Sequence, residues 1–466
     1  MELKFFNTLG RELQEFKPIN DKEVCFYACG PTVYNYAHIG NFRAYMFEDL
    51  LHRTLKYFGY NVKMVMNLTD VDDKTIRDSK AAGIPLREFT KKYKDAFFSD
   101  LETLRIEKAT VYPAATECIG DMIKIIKKLE EKGYAYKASD GSVYYSITKF
   151  KEYGKLAKID MENQLSGVRI KNDEYAKDSV ADFALWKAWD EDDGDVFWGS
   201  PWGKGRPGWH IECSAMSQKH LGPHFDIHTG GIDNMFPHHE DEIAQSEAAN
   251  GCKYVNYWLH CAHLMVDGDK MSKSKGNFYK LIDLLDRGYE GRFIRWVLLT
   301  THYRKQLNFT FDACESAKTH LIRFRELFKK LHNLKEEEGE DVSEVIENAR
   351  KGFRSGLADD LNISESLAVV HKLYTTINKM LDSGTLSKSG ANGFLELFRE
   401  FDGVFAVFDV DDIDVEIPDN IIAIAEDRKT ARANKEWAKS DELRDQLKSL
   451  GWQIEDIPNG YNLVQL

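Results

Sequence analysis

Residues 24–66 follow an order that few architectures allow. Val24-Cys25-Phe26-Tyr27-Ala28-Cys29 is a short apolar run closed by Gly30-Pro31, which reads as a buried strand ended by turn residues. After a loop to Gly40, apolar or aromatic side chains fall at Phe42, Tyr45, Met46, Leu50, Leu51, Leu55 and Phe58, with Gly59 behind them. Three- and four-residue steps ended by glycine predict an amphipathic helix. Val62, Met64, Val65 and Met66 form a second buried run. Strand, helix, strand in that order implies a parallel sheet of an α/β fold, which binds ligands at the carboxyl ends of its strands. Cys29 and Gly30 stand at such an end.

The remaining chain divides by texture. Helical patterning continues to about residue 132, so 1–132 reads as the first half of an α/β domain. In 133–205, Tyr134, Tyr136, Val143, Tyr144 and Tyr145 alternate around Asp140-Gly141, a hairpin signal, and glycine and tryptophan cluster. This segment is expected to be an insertion. Residues 206–265 resume the sheet, ending in Tyr257-Trp258-Leu259-His260. A lysine-rich loop and its sequel occupy 266–315, a helical bundle is expected over 316–408, and an acidic linker opens a small unit at 409–466. A chain of 466 residues exceeds what one core supports, in keeping with several domains.

Composition removes some function classes. No run of about 18 apolar residues occurs, so no membrane span is expected, and the charged start Met1-Glu2-Leu3-Lys4 is unlike a secretory leader. Seven scattered cysteines without a Cys-x-x-Cys pair make a poor disulfide framework and suit a reducing compartment; a cytoplasmic protein is expected. The net charge of -13 argues against non-specific coating of nucleic acid, although a local basic track remains compatible with an RNA partner.

Eight of the 14 histidines lie between 210 and 263. Within that stretch, Pro237 suits the first turn of a helix, on which His238 and Glu242, four apart, share a face. His239 is expected to point about 100° away. Together with Cys29 and Cys213 they offer two thiolates, an imidazole and a carboxylate, all acceptable to zinc. The residues read equally well as a buried small cysteine and a histidine helix cap. His38-Ile39-Gly40-Asn41 opens the first long helix, where free N–H groups favour phosphate and Gly40 permits close approach. Downstream, Asp267-Gly268-Asp269-Lys270-Met271-Ser272-Lys273-Ser274-Lys275-Gly276 reads as a mobile loop with charge to clamp a polyphosphate, or as an ordinary solvated lysine loop.

Taken together, His38-Ile39-Gly40-Asn41 and Lys270-Met271-Ser272-Lys273-Ser274 resemble the HIGH and KMSKS signatures of class I aminoacyl-tRNA synthetases. Cys29-Gly30-Pro31-Thr32-Val33-Tyr34, Asn67-Leu68-Thr69-Asp70, Trp209 to Met216, and His224 to Glu242 resemble the cysteinyl-tRNA synthetase family in particular, and the likeness spans essentially the whole chain. It implies a Rossmann-like parallel-sheet catalytic domain with an insertion, an α-helical bundle and a C-terminal anticodon-binding unit. It also implies a ligase that activates L-cysteine with ATP and Mg2+ and loads it onto tRNA(Cys), acting as a monomer with one Zn2+ per chain.

The same resemblance assigns roles. Cys29, Cys213, His238 and Glu242 would hold the metal. Gly30, Thr32, Thr69, Trp209 and His228 would line the amino-acid pocket. His38, Gly40, Asn41, Gly231, Asp233 and Lys273 would contact ATP, with His38, Lys270 and Lys273 supporting catalysis. Arg428, Arg432, Lys435 and Trp437 would meet tRNA. On a continuous C-terminal helix Arg428, Arg432, Lys435 and Lys439 would lie within about 40° of one face, with Trp437 opposite and packed inward. Two departures from the family pattern stand out: Asn41 replaces the last histidine of HIGH, and Thr229 stands where many relatives have glycine. A ligase joining cysteine to a small amine would share the zinc and ATP residues but would not need the region beyond 316.

Overall fold

The computed structural model describes residues 2–159, 182–272, 276–412, 418–457 and 460–465. Lys273, Ser274 and Lys275, much of the expected insertion (160–181) and residues 413–417 of the acidic linker lie outside the described residues. Among the described residues no helix is long and apolar enough to cross a membrane.

The chain forms two compact units, one of Met1–Thr310 with Gly352–Leu367, the other of Phe311–Lys351 with Ala368–Leu466. The first unit opens with the hairpin β1 (Lys4–Asn7) and β2 (Glu12–Glu15), then β3 (Glu23–Ala28), α1 (Ile39–Tyr57) and β4 (Asn61–Met66). α2 (Asp73–Ala82), α3 (Leu86–Thr103) and α4 (Ile119–Glu131) follow. Residues 135–207 build an antiparallel sheet of their own, from β5 (Ala135–Lys137), β6 (Val143–Tyr145), β7 (Phe183–Ala188), β8 (Trp198–Ser200) and β9 (Gly203–Pro207). The chain then returns through α5 (Trp209–Leu221), β10 (Phe225–Gly231), α6 (Glu240–Asn250) and β11 (Val255–Cys261).

The central sheet has the order β11-β10-β3-β4 and is parallel throughout. Its two middle strands are largely buried, Asp226, His228 and Thr229 of β10 included: α4, α5 and α6 pack Ile125, Ile126, Leu129, Met216 and Ile243 into one core with Tyr27, Val65 and Trp258. Ala28 pairs with Thr229 and with Met66, so Cys29, Gly230 and Asn67 emerge together at the carboxyl edge. The strand–helix–strand reading of 24–66 corresponds to β3, α1 and β4.

Beyond β11, the three-stranded sheet β13-β12-β14 is made of β12 (Leu264–Val266), β13 (Asp269–Lys270) and β14 (Leu307–Phe309), with α7 (Leu281–Leu285) and α8 (Gly291–Leu299) between the last two. A buried ion pair joins α1 to α8: Arg295 Nη2 lies 2.5 Å from Asp49 Oδ2, and Arg53 Nε donates to the same oxygen at 2.9 Å. Arg43 of α1 caps carbonyls at and beyond the end of α8, donating to Leu298 O at 2.6 Å and to Thr301 O and His302 O at 2.9 Å.

The second unit is helical. α9 (Phe311–His332), α10 (Ser343–Ala358), α11 (Ile363–Ser383) and α12 (Lys388–Phe405) follow in order, although residues 352–367 at the α10–α11 turn group with the first unit. Phe324, Phe328, Phe398 and Phe408 pack as an aromatic knot. The C-terminal portion, α13 (Asp419–Ala433), α14 (Trp437–Ser449) and the hairpin β15 (Trp452–Ile457) and β16 (Gly460–Gln465), has a small core of Ile421, Ala425, Leu447, Trp452 and Ile454.

The expectation of one continuous C-terminal helix is corrected here. The chain breaks between α13 and α14 at Lys435, whose φ of 61 lies in the left-handed region. The helical phase is lost there, so Trp437 begins a new helix and is 58% exposed rather than packed inward.

Candidate functional site

The carboxyl edge of β3 and β10 gathers the expected donors. Cys29 follows β3 directly. Cys213 lies one turn into α5, whose start approaches β7 so closely that a Cβ on Gly208 would sit 1.9 Å from Ala184 O. His238 and Glu242 flank the beginning of α6. The donor atoms of Cys29, Cys213, His238 and Glu242 all lie within 4.8 Å of one another, and Cys29, the most accessible of them, is only 9% exposed. His238 Nε2 is 3.1 Å from Glu242 Oε1.

A second donor set was not legible in the sequence. Cys29, His228, His239 and Glu242 also converge within 4.8 Å. Phe236 is extended (φ -141, ψ 133), so residues 235–239 form an irregular turn, and the expectation that His239 points away fails because that angle presumes a regular helix. His239 Nε2 instead lies 3.2 Å from Cys29 Sγ, and its Nδ1 lies 2.8 Å from His260 Nε2. His228 is fully buried, stacked on Trp258 at 4.6 Å, with Nε2 2.9 Å from Glu242 Oε2. It faces the donors. The histidine density of 210–263 was the available signal for His210, His239 and His260.

Electrostatics favour neutral ligands. Burial pushes His238 down to about 3, although Glu242 opposes the shift, and burial pushes His210 and His260 to about 3 as well. The hydrogen bond with Cys213 and burial hold the Cys29 thiol well above its ordinary range. A cation among these groups reverses that preference, since coordination deprotonates thiols. An outer chain orients the imidazole: His238 Nδ1 is 2.9 Å from His210 Nδ1, and His210 Nε2 is 3.3 Å from Asp241 Oδ2. With its Nδ1 proton given to His210, and His210 giving its own to Asp241, His238 keeps a lone pair at Nε2 for a metal. Two thiols, neutral imidazole and carboxylate, buried together, fit zinc.

The other residues expected to line the amino-acid pocket come from the loops after β3 and β4 and from the start of α5. Gly30 packs against the β4 exit, where a Cβ would lie 1.8 Å from Asn67 O, and its N–H donates to Asn67 Oδ1 at 2.9 Å. Thr32 and Thr69 bridge their loops, with Val33 N–H donating to Thr69 O and Thr69 N–H to Pro31 O, each at 3.0 Å. Trp209 stacks on His238 at 4.4 Å and keeps 42% of its surface exposed, forming an open wall beside the donors.

The two nucleotide motifs meet. His38 caps α1, accepting from Asn41 N–H at Nδ1 (3.2 Å) while its own N–H donates to Asn41 Oδ1 (3.1 Å). Asn41 therefore serves the cap with its oxygen and leaves its NH2 as donor. A Cβ on Gly40 would lie 3.0 Å from both the His38 ring and Met271 Cε. Ile39 N–H donates to Tyr279 O at 3.0 Å, and the His38 ring meets Phe278 edge-on at 4.8 Å. Lys270 is exposed on β13, and Asn277 closes the base of the lysine loop by accepting from Ser272 N–H at 2.8 Å. Asp233 curls back over Gly231, where a Cβ would lie 2.4 Å from its Oδ1. Thr229 turns its hydroxyl away from this edge, donating to the buried Glu48 at 3.0 Å.

The expected tRNA residues separate by environment. Arg428 is 3% exposed and donates to Asp456 Oδ1 at 2.8 Å, with Arg432 Nη1 2.9 Å from Asp456 Oδ2. Arg428 braces the small unit internally. Lys435 and Trp437 are exposed.

A parallel sheet with the HIGH- and KMSKS-like segments brought together at its carboxyl edge, Met271 against Gly40, is the arrangement of a class I aminoacyl-tRNA synthetase. Residues 15–319 match the family of tRNA synthetases class I (C) catalytic domain, and residues 352–409 match the DALR domain. The fold is shared with Mycobacterium tuberculosis methionyl-tRNA synthetase in complex with methionyl-adenylate, at TM-score 0.63 and 13% identity over 82% of this chain and 92% of that one. The cysteine–tRNA ligase of Brachyspira hyodysenteriae is 52% identical over 98% of both chains, and that of Protochlamydia amoebophila is 50% identical over 99% of this chain and 97% of its own. This chain belongs to the cysteine–tRNA ligase family.

Proposed function

We propose that this ligase selects cysteine through a zinc ion and charges tRNA(Cys) in two steps at one site, as a cytoplasmic monomer. Cys29, Cys213, His238 and Glu242 would hold the ion, which supplies a Lewis-acidic seat for sulfur. An apolar pocket separates near-isosteres by only about 10–200-fold. A thiol, with a pKa near 8.5, meets such a seat far more readily than a serine hydroxyl, a much weaker acid. Trp209 and the Thr32–Thr69 loops confine the rest of the amino acid. In activation, a carboxylate oxygen of cysteine attacks the α-phosphorus of Mg2+-ATP in line and pyrophosphate leaves. The enzyme's part is positioning and charge stabilisation: His38 and the Asn41 amide at the start of α1, with Lys270 and Lys273, would bind the phosphates. A hydroxyl of the terminal tRNA ribose then attacks the adenylate carbonyl and AMP leaves.

The observation carrying this reading is the buried convergence of four zinc-type donors within 4.8 Å. The test is metal content together with pyrophosphate exchange for cysteine and serine, before and after chelation. One zinc per chain is expected, with discrimination that collapses in Cys213→Ser and His238→Ala. Selective exchange by a metal-free enzyme would reject the reading.

A further inference from the structure

Asp360 occupies an unusual position for a residue outside the site. It is 3% exposed, in the turn between α10 and α11, and both it and Leu361 hold left-handed backbone angles (φ 57 and 55). Non-glycine residues persist there when the surroundings over-determine them, and such strain collects at working parts of a protein. The surroundings here are explicit. Asp360 Oδ1 accepts from Tyr303 O–H at 2.6 Å and from Phe6 N–H at 2.8 Å, Oδ2 accepts from Arg304 Nε at 2.7 Å, and the backbone oxygen accepts from His302 Nε2 at 2.9 Å. Three successive side chains, 302–304, are thus gripped by one aspartate.

That segment touches the elements that carry the two nucleotide motifs. Tyr303 stacks flat on Phe47 of α1 at 4.4 Å, while its carbonyl accepts from Ala262 N–H, just before β12, at 2.8 Å. Arg43, two residues beyond Asn41, donates to the Thr301 and His302 carbonyls. A few residues on, β14 pairs in parallel with β12, and Gly268 N–H donates to Asn308 Oδ1 at 2.7 Å at the entry to the lysine loop. The segment therefore fixes the helix that begins with His38 and the strands that present Lys270.

We propose that Asp360 is a positioning residue for the nucleotide half of the site, setting β12 and β13, which carry Lys270, against α1 through residues 302–309. It touches no substrate.

The inference rests on the ATP-dependent reading above, and one assay separates the two. Pyrophosphate exchange by the wild-type chain tests that reading. Variants of the full chain test the inference. Asp360→Gly removes the carboxylate while accepting the left-handed backbone, and Asp360→Asn restores a neutral acceptor for Tyr303 and Phe6. The expected result for Asp360→Gly is a KM for ATP raised about 3- to 30-fold with a lower kcat, while the KM for cysteine and bound zinc stay within about twofold of wild type. Asp360→Asn should recover most of the loss. Unchanged ATP kinetics, or ATP and cysteine parameters falling in the same proportion, would overturn the proposal and leave Asp360 a purely structural clamp. If Asp360→Gly does not fold, Tyr303→Phe and Arg304→Gln, each cutting one bond, are judged by the same split.

Discussion

Glu48 shows what the sheet's carboxyl edge demands of single residues. It is fully buried on α1, and its Oε1 accepts from the Thr229 hydroxyl at 3.0 Å. Burial raises its carboxyl to about 8, the Thr229 bond working the other way. The folded pKa exceeds the unfolded value near 4.3, so the folded state holds a proton that the unfolded state releases. Stability from this group is complete below the unfolded pKa, declines as pH rises and is gone above about pH 8. Glu48→Gln removes the titration, so its stability relative to wild type should rise by about 2–3 kcal/mol between pH 6 and pH 9. Urea unfolding at the two pH values checks this; a constant difference would mean that Glu48 is ionised throughout. At this scale legibility was uneven. His238 and Glu242 could be paired from their four-residue spacing, which holds although His238 lies in the turn just before α6. His239 could not, because the irregular turn at Phe236 is set by tertiary packing that leaves no period in the sequence.

Elements were readable where one period ran uninterrupted. The β3–α1–β4 order needed only local patterning, and the hairpin at Asp140-Gly141 announced β5 and β6. The C-terminal helix was misread because Lys435 carries no breaker signal, yet adopts a left-handed angle and resets the phase. This inverts the roles of two residues. Arg428, buried against Asp456, belongs to the fold of the small unit, so Arg428→Ala should destabilise that unit by about 1–3 kcal/mol, as breaking a charge-assisted bond does. Trp437 opens α14 in solvent, where a base can stack on it; such stacking contributes about 1–3 kcal/mol. Trp437→Ala should therefore leave the unfolding midpoint within about 0.5 kcal/mol of wild type. It should lower kcat/KM for tRNA charging about tenfold or more, with pyrophosphate exchange unchanged. A stability loss in Trp437→Ala without a charging defect would return Trp437 to the interior.

At the scale of the whole chain, a net charge of -13 must coexist with a polyanionic substrate. Segment 427–448 has seven Lys/Arg against five Asp/Glu, but the ion pairs of Arg428 and Arg432 with Asp456, of Lys429 with Glu426 and of Arg444 with Asp441 absorb much of that excess. Lys435 and Lys439 are exposed, and no ion pair engages either among the described residues. Attraction to tRNA at this end therefore rests on few cations, which makes its salt dependence shallow, in proportion to the phosphates contacted, and its absolute strength modest. The small unit keeps its own core of Ile421, Ala425, Leu447, Trp452 and Ile454, so its removal need not disturb the sheet that carries the donors and nucleotide loops. A chain ending at residue 412 should accordingly retain pyrophosphate exchange within about twofold of the full protein, because activation uses only first-unit residues. Charging should fall by about two orders of magnitude or more, and the residual activity should depend on salt only slightly less than that of the intact enzyme between low and physiological ionic strength, because few cations are removed. Charging and exchange measured side by side at two salt concentrations decide the matter: a truncated chain that charges tRNA normally would place recognition elsewhere, and one that loses exchange as well would tie the small unit to the active site.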